Sequence, residues 1–345
     1  MNPTTSTKRK TLRRQPSTPP SAVAVERERA MWGAHPDPAI SGIEERFYRA
    51  GFAFLSTLYG AAFGVSAPRK LMKALPAGPS ARIPPADWGA LAKSYEKVGN
   101  PLELRNEWAQ LIDRLVSRIF PWETQEQMAN AMAIQVHWLA RVRARTEELA
   151  LSPAPDTWAE AAKGMSRQAR ESMEWTKTRA LEGCRNLAED ARKGLASALV
   201  TSKQAGEGSQ ALARRCFDGF ADLNRDWRRL SLTETASATF NGTLAAVDPN
   251  EEWEAEWVTA VGACPWCLRW KGMRFRVVSP NDPSKNPDTD IWVGKTNIGR
   301  AGAATKRTGE RRSPAELWQA CQPCHPNCSC GLVMRRITKR QAKTK

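Results

Sequence analysis

The sequence predicts a mainly α-helical protein with a small C-terminal α+β domain, an elongated helical body carrying a metal-knotted terminal module. Three observations predict it. Apolar residues recur every three or four positions from Leu102 to about Val247, the spacing that gives a helix one apolar face. Beyond Pro249 that spacing stops, and Trp253, Trp257, Val258 and Val261 favour strand. Six of the eight cysteines and one of the three histidines then fall within residues 264–330, a density that ordinary core packing does not require.

The first 40 residues read as a disordered basic arm, rich in Ser, Thr and Pro. No apolar stretch follows the basic start, so a secretory signal is not expected. Ala50 to Pro68 is a run of nineteen residues without a charge. Its polar and small members Ser56, Thr57, Tyr59 and Ser66 make it a buried or partner-facing helix rather than a membrane span, with membrane docking as the rival use. Gly60 and Gly64 have the spacing that lets two helix backbones approach closely. Residues 75–102, with five prolines and three glycines, read as a loop or linker.

Residues 102–150 then form helices interrupted at Pro121, with Ile112, Leu115, Ile119, Met128, Met132, Val136, Leu139 and Val142 on the apolar face. His137 on the second of them is read as a packed or surface residue without a ligand role. From Trp158 to Ala198 the stripe Ala161, Met165, Ala169, Met173, Thr176, Ala180, Cys184, Leu187, Ala191, Leu195 marks the clearest helix, with Gly164, Gly183 and Gly194 as points where it could bend. After a break at Gly206–Gly208, Leu212, Cys216, Phe220, Leu223, Trp227 and Leu230 mark another. Cys184 and Cys216 are core residues on this reading. Ser231-Leu-Thr-Glu234 has capping-box spacing, which predicts a fresh helix from Leu232 to about Val247.

The domain reading is therefore a basic arm over 1–40, a helical region over 41–150, a long-helix region over 151–250, a Cys/His-rich module over 251–334 and a basic tail over 335–345. With 345 residues, 41% hydrophobic and 26% charged, the chain is long enough for about two folded units. That balance excludes wholesale disorder and collagen-like repetition. The net charge of +16 is concentrated at the ends, where residues 1–20 and 331–345 carry 11 of it with no acid. Lys8, Arg9, Lys10, Arg13, Arg14, Arg335, Arg336, Lys339 and Arg340 are the candidate nucleic-acid contacts, since such arms attract polyanions.

The cysteines fall as Cys264-Pro-Trp-Cys267 and, after fifty-three residues, Cys321-Gln-Pro-Cys324-His325-Pro-Asn-Cys328-Ser-Cys330. Two such knuckles supply soft ligands for one tetrahedral structural zinc, and Pro265 and Pro323 help to fix the turns. Cys264, Cys267, His325 and Cys328 are the expected ligands, with Cys330 as the substitute. Disulfides would require an oxidising compartment. A catalytic zinc would require an open position and a base, and H-E-x-x-H is absent. Between the knuckles, residues 276–313 read as a long basic surface loop in which Lys295, Arg300, Lys306, Arg307, Arg311 and Arg312 face solvent or a partner. Gly294-Lys295-Thr296 lacks the upstream glycine of a phosphate loop, where Thr289 stands, so nucleotide binding is not expected.

In order, Arg229-Leu-Ser-Leu-Thr-Glu-Thr235, Trp257-Val-Thr-Ala, Cys264-Pro-Trp-Cys267-Leu-Arg-Trp-Lys-Gly-Met-Arg-Phe275 and His325-Pro-Asn-Cys328-Ser-Cys330 resemble the minor head proteins of Mu-like tailed phages. The resemblance covers roughly residues 158–334. It departs at Trp270-Lys271-Gly272, where the family has Leu-Asp-Gly, at Leu232 and Ser329, where the family has Arg, and in the extra pair Cys321 and Cys324. It implies a non-enzymatic virion protein of the capsid, present in the host cytoplasm during assembly. Its implied partners are the portal or the major capsid protein, with double-stranded DNA within reach of the tails. The rival reading is a zinc-stabilised nucleic-acid-binding protein without a capsid role.

Overall fold

In a computed structural model, the described residues are 35, 37–64, 89–97, 99–145, 163, 165–247, 251–260, 263–297, 318, 321–324, 328 and 330–337. Among the described residues six helices come first: α1 (Pro38–Phe63), α2 (Ala90–Glu96), α3 (Pro101–Ile119), α4 (Trp122–Arg145), α5 (Arg167–Gln204) and α6 (Ser209–Leu244). A small module follows, made of β1 (Trp253–Val258), the single helical turn α7 (Pro265–Leu268), β2 (Arg274–Val277), β3 (Asp290–Ile291) and β4 (Gly331–Arg336). The mainly α class with a small terminal α+β module is the observed one.

Local chemistry starts and stops these helices. Asp37 caps α1 by accepting from the Ala39 N–H at 2.9 Å, with Pro38 at the first helical position, where its missing N–H costs nothing. Gly64 ends α1 in the left-handed conformation, its N–H bonding the Gly60 carbonyl at 2.8 Å. Asn100 and Pro101 repeat the same device at α3. Pro121 separates α3 from α4, and Ser166 caps α5.

The apolar face of each helix enters one core. Leu58 and Phe54 of α1, Leu91 and Tyr95 of α2, Trp108 and Ile112 of α3, Met132 and Val136 of α4, Cys184 and Leu195 of α5, and Cys216 and Trp227 of α6 all belong to it. The uncharged run is thus a buried helix as far as Phe63, and among the described residues no helix is long and apolar enough to cross a membrane. Its close-approach glycine is Gly51, where a Cβ would lie 2.2 Å from the Trp227 ring. That indole donates to the Tyr48 carbonyl at 2.9 Å. Gly64 acts as a cap instead.

Three expectations are corrected. The 75–102 stretch contains α2, whose Leu91 and Tyr95 are buried and whose Tyr95 hydroxyl donates to the Glu207 carbonyl at 2.6 Å. The bends allowed for at Gly183 and Gly194 do not break α5, which is continuous over 38 residues. At Gly183 a Cβ would meet Leu230 at 2.7 Å, so that glycine serves packing. No helix begins at Ser231. Its hydroxyl donates back to the Trp227 carbonyl at 2.9 Å, and Thr233, Ser237, Thr239 and Thr243 do the same four residues back. With their hydroxyls bonded inside the helix rather than capping a new one, α6 runs on to Leu244. Glu234 instead forms a two-pronged pair with Arg179 of α5, at 2.9 and 2.7 Å.

The sheet has the order β3-β2-β1-β4, antiparallel except for the parallel β2–β3 pair. Its inner face packs Ala255, Trp257, Phe275 and Ile291 on Phe240 and Leu244 from the end of α6. One continuous helix therefore contributes to both cores.

Candidate metal centre

The Cys264-Pro-Trp-Cys267 segment folds as one helical turn because Cys264 occupies the N-cap and Pro265 the first position. The Leu268 N–H then bonds the Cys264 carbonyl at 3.0 Å, and Cys267 turns inward to 1% exposure. The turn ends where Gly272, at φ +74°, donates to the Trp257 carbonyl of β1 at 2.9 Å. From the other side, Cys321–Cys324 approaches through a cis Gln322–Pro323 peptide. The Gln322 amide donates to the Gly331 carbonyl at 3.0 Å, tying this knuckle to the start of β4.

The sulfurs converge. Cys267 Sγ lies 3.1 Å from Cys324 Sγ and 3.7 Å from Cys328 Sγ, and Cys324 and Cys328 are 3.8 Å apart. The sulfurs of Cys267, Cys328 and Cys330 lie within 4.8 Å of one another. A tetrahedron of thiolates about 2.3 Å from zinc has edges of about 3.8 Å, and two of the three measured Cys267–Cys324–Cys328 edges match it. The donor set is all sulfur, which suits a soft or borderline ion. Contacts from Cys267, Cys324 and Cys330 draw the Cys328 thiol well below the ordinary range, while contacts with Cys324, Cys328 and Cys330 push Cys267 well above it. Around this core the indole N–H groups of Trp257, Trp266 and Trp270 are buried without an acceptor among the described residues. Unsatisfied donors beside a sulfur cluster fit a site that carries negative charge. The residues present therefore fit a bound metal ion.

The expected ligands fall as follows. Cys267 and Cys328 are in the cluster together with Cys330. Cys264 lies one helical turn away, half-buried and outside the three-sulfur group. His325 lies outside the described residues. Cys324, set aside in the sequence as extra, stands next to Cys267. Its four-residue spacing from Cys328 was the available signal. Cys184 and Cys216 are buried in the helical core, and burial pushes both thiols up to about 12.

As far as Asn297, the inter-knuckle segment is held by specific contacts rather than lying as a basic surface loop. Lys295, expected to face solvent, is fully buried. Its ammonium donates to the Pro287 and Asp290 carbonyls at 2.6 Å each and lies 4.6 Å from the Trp292 ring. Burial lowers its pKa to about 8. Arg276 holds the Asp290 carboxylate at 3.2 and 2.7 Å, and the Asn286 N–H bonds it at 2.8 Å. Asn297 pairs reciprocally with the Trp318 backbone. Gly294 N–H donates to Asn241 Oδ1 on α6 at 2.7 Å. Arg300, Lys306, Arg307, Arg311 and Arg312 lie outside the described residues.

Asn241 also belongs to a buried relay. Ser172 donates to the Asn241 carbonyl at 3.3 Å, so its only proton is spent there. His137 Nε2, 2.8 Å away, must then be the donor to the Ser172 hydroxyl. His137 Nδ1 has no partner among the described residues, and burial, with Arg141 nearby, lowers the ring pKa to about 3. This is a neutral packed histidine without a ligand role.

Of the candidate nucleic-acid contacts, Arg335 and Arg336 lie on β4 and are ion-paired, with Glu256 at 2.8 Å and Glu251 at 2.5 Å. Lys8, Arg9, Lys10, Arg13, Arg14, Lys339 and Arg340 lie outside the described residues. No protein-family model, no curated protein and no solved structure matches this chain.

Proposed function

We propose that this chain is a structural protein of phage or prophage heads, of the minor head protein kind, whose C-terminal module is closed by one structural zinc ion. The observation that carries the reading is the convergence of sulfurs from the two motif halves. Cys267 of the C-P-W-C turn meets Cys328 and Cys330 of the H-P-N-C-S-C segment. The same segments carry the resemblance to Mu-like minor head proteins. A ligand set of Cys267, Cys324, Cys328 and Cys330 would fill all four positions of a tetrahedral ion. That leaves none for a reacting water, which favours a structural over a catalytic zinc. Glu234 of the R-L-S-L-T-E-T run is committed to Arg179, so this part of the resemblance also reads as architecture.

In this proposal the module sits on the end of α6 as a rigid adaptor, the portal or the capsid shell is its partner, and the basic tails reach packaged DNA. Protein mass spectrometry on DNase-treated, gradient-purified particles tests it. Recovery of the chain at a few copies per portal is the expected result. Its absence from both full and empty heads would overturn the reading and leave the zinc-stabilised nucleic-acid binder as its successor.

A further inference from the structure

We propose that the open edge of β4 is a docking site for an extended segment of another protein in which acidic and apolar residues alternate. This inference is independent of the head assembly reading, because it rests on the sheet alone.

β4 stands last in the order β3-β2-β1-β4 and pairs with β1 through all six of its residues without a bulge. Among the described residues no strand lies on its other side. The parity of the ladder shows which groups are free. Trp257 exchanges backbone bonds with the β2 side, accepting from Gly272 and donating to Met273. Its neighbours Glu256 and Val258, and Glu254 before them, therefore face β4, in step with the Ile337 N–H bonding the Glu252 carbonyl at 2.9 Å. Their partners Arg335, Val333 and Gly331 turn inward, so Leu332, Met334 and Arg336 present N–H and C=O groups to the open edge.

Exposed edges are usually blunted by proline, by a bulge or by inward-pointing charge. Gly331–Arg336 has no proline and no bulge; Leu332 and Met334 turn their side chains towards the apolar core, and its charges are Arg336 on that same face and Arg335 on the other. A strand laid on this edge would set every second side chain beside Leu332 and Met334, where an apolar residue fits. The intervening ones would lie beside Val333, 46% exposed, and Arg335, where a carboxylate fits.

Charge selects the occupant. From Leu317 to Lys345 the chain has six Lys and Arg and no acid. Arg335 pairs with Glu256 and Arg336 with Glu251, yet their side chains remain 51% and 62% exposed and can share a further carboxylate. A second copy of this chain would bring its own Arg335 and Arg336 within two residues of these, so like charge opposes self-pairing. The cysteine cluster immediately before β4 and the full ladder with β1 fix the edge in advance, which limits the ordering entropy that binding must overcome.

The test uses the full chain in its metal-loaded form and a fluorescent peptide of four Glu-Val repeats, followed by anisotropy and amide hydrogen exchange. The proposal expects binding, slowed exchange at Leu332, Met334 and Arg336, and about tenfold weaker binding of a block peptide of the same composition. N-methylation along one edge of the repeat peptide should abolish binding, and along the other edge should leave it. Met334→Pro removes an outward N–H without touching the ladder to β1, and should abolish binding too. If that variant does not fold, the N-methylated peptides decide. Equal binding of the block peptide, or of oligothymidine without slowing of the three amides, would mean plain polyanion attraction and overturn the proposal. So would failure of the repeat peptide to bind.

Discussion

Replacing Gly242 by Ala tests the crossing of α4 and α6. A Cβ there would lie 2.4 Å from the His137 carbonyl oxygen, 2.9 Å from the Ala140 Cβ and 3.0 Å from the His137 Cα. Ordinary contacts between such atoms are about 3.5 Å, so the two helices must separate by about 1 Å. Two of the three obstacles are backbone atoms, and the flanking Val136, His137 and Ala140 are all buried. No side chain can simply swing away. Overpacking of this kind costs about 1–3 kcal/mol, and the rigid neighbours place Gly242 at or beyond the upper end. Exchanging Gly for Ala inside a helix returns about 1 kcal/mol, so the net expectation is a loss of about 2 kcal/mol. Gly219 on the same helix is the control, because nothing lies within 4 Å of its added Cβ. Gly219→Ala should gain up to about 1 kcal/mol from propensity alone. Urea unfolding followed by circular dichroism measures both differences. Opposite signs are expected, and a Gly242→Ala protein at least as stable as the parent would refute the argument.

The metal centre predicts one zinc per chain by elemental analysis. Cys324→Ser and Cys328→Ser should lose it, whereas Cys184→Ser should keep it. His137 has a folded pKa of about 3, below its ordinary 6.5, so it contributes stability above pH 6.5 that is lost as pH falls towards 3. Relative to His137→Asn, acid titration of the parent should show an extra slope of up to about 1.4 kcal/mol per pH unit over that window. Glu44 behaves in the opposite sense. Burial raises its pKa to about 7 despite Arg228 at 3.2 Å, so stability is fully present below about pH 4.5 and falls as pH rises through 7. Glu44→Gln should therefore raise the melting temperature at pH 8 relative to its effect at pH 5, because Arg228 keeps Glu45 at 2.8 Å.

What was legible in the sequence was the chemistry that acts between near neighbours in the chain. The stripe from Ala169 to Ala198 is buried in α5, and Cys184 and Cys216 lie on apolar faces, because helical period alone determines which residues share a face. Signals that depend on a distant partner were not legible. Gly51 admits the second helix, since only the fold brings Trp227 to it. Ser231 and Glu234 have the spacing of a cap, yet the hydroxyl bonds back four residues and the carboxylate finds Arg179 fifty-five residues away. Lys295 belongs to a polar, Pro-rich stretch that reads as solvent-facing, until two carbonyls and the Trp292 ring surround it. Cys324 is the same kind of case, because only the fold brings its sulfur to those of Cys267 and Cys328. All of these except Gly51 lie in the last third of the chain, and there is a physical reason. The apolar core under the sheet is smaller than that of the helices, so specific polar and sulfur contacts add to its order. Asn241 shows the consequence: on one side chain it accepts from Gly294 of the module and donates to Ser237 within its own helix. The continuity of α6 through Ser231, which capping-box spacing predicted would break, is what holds that side chain under the module.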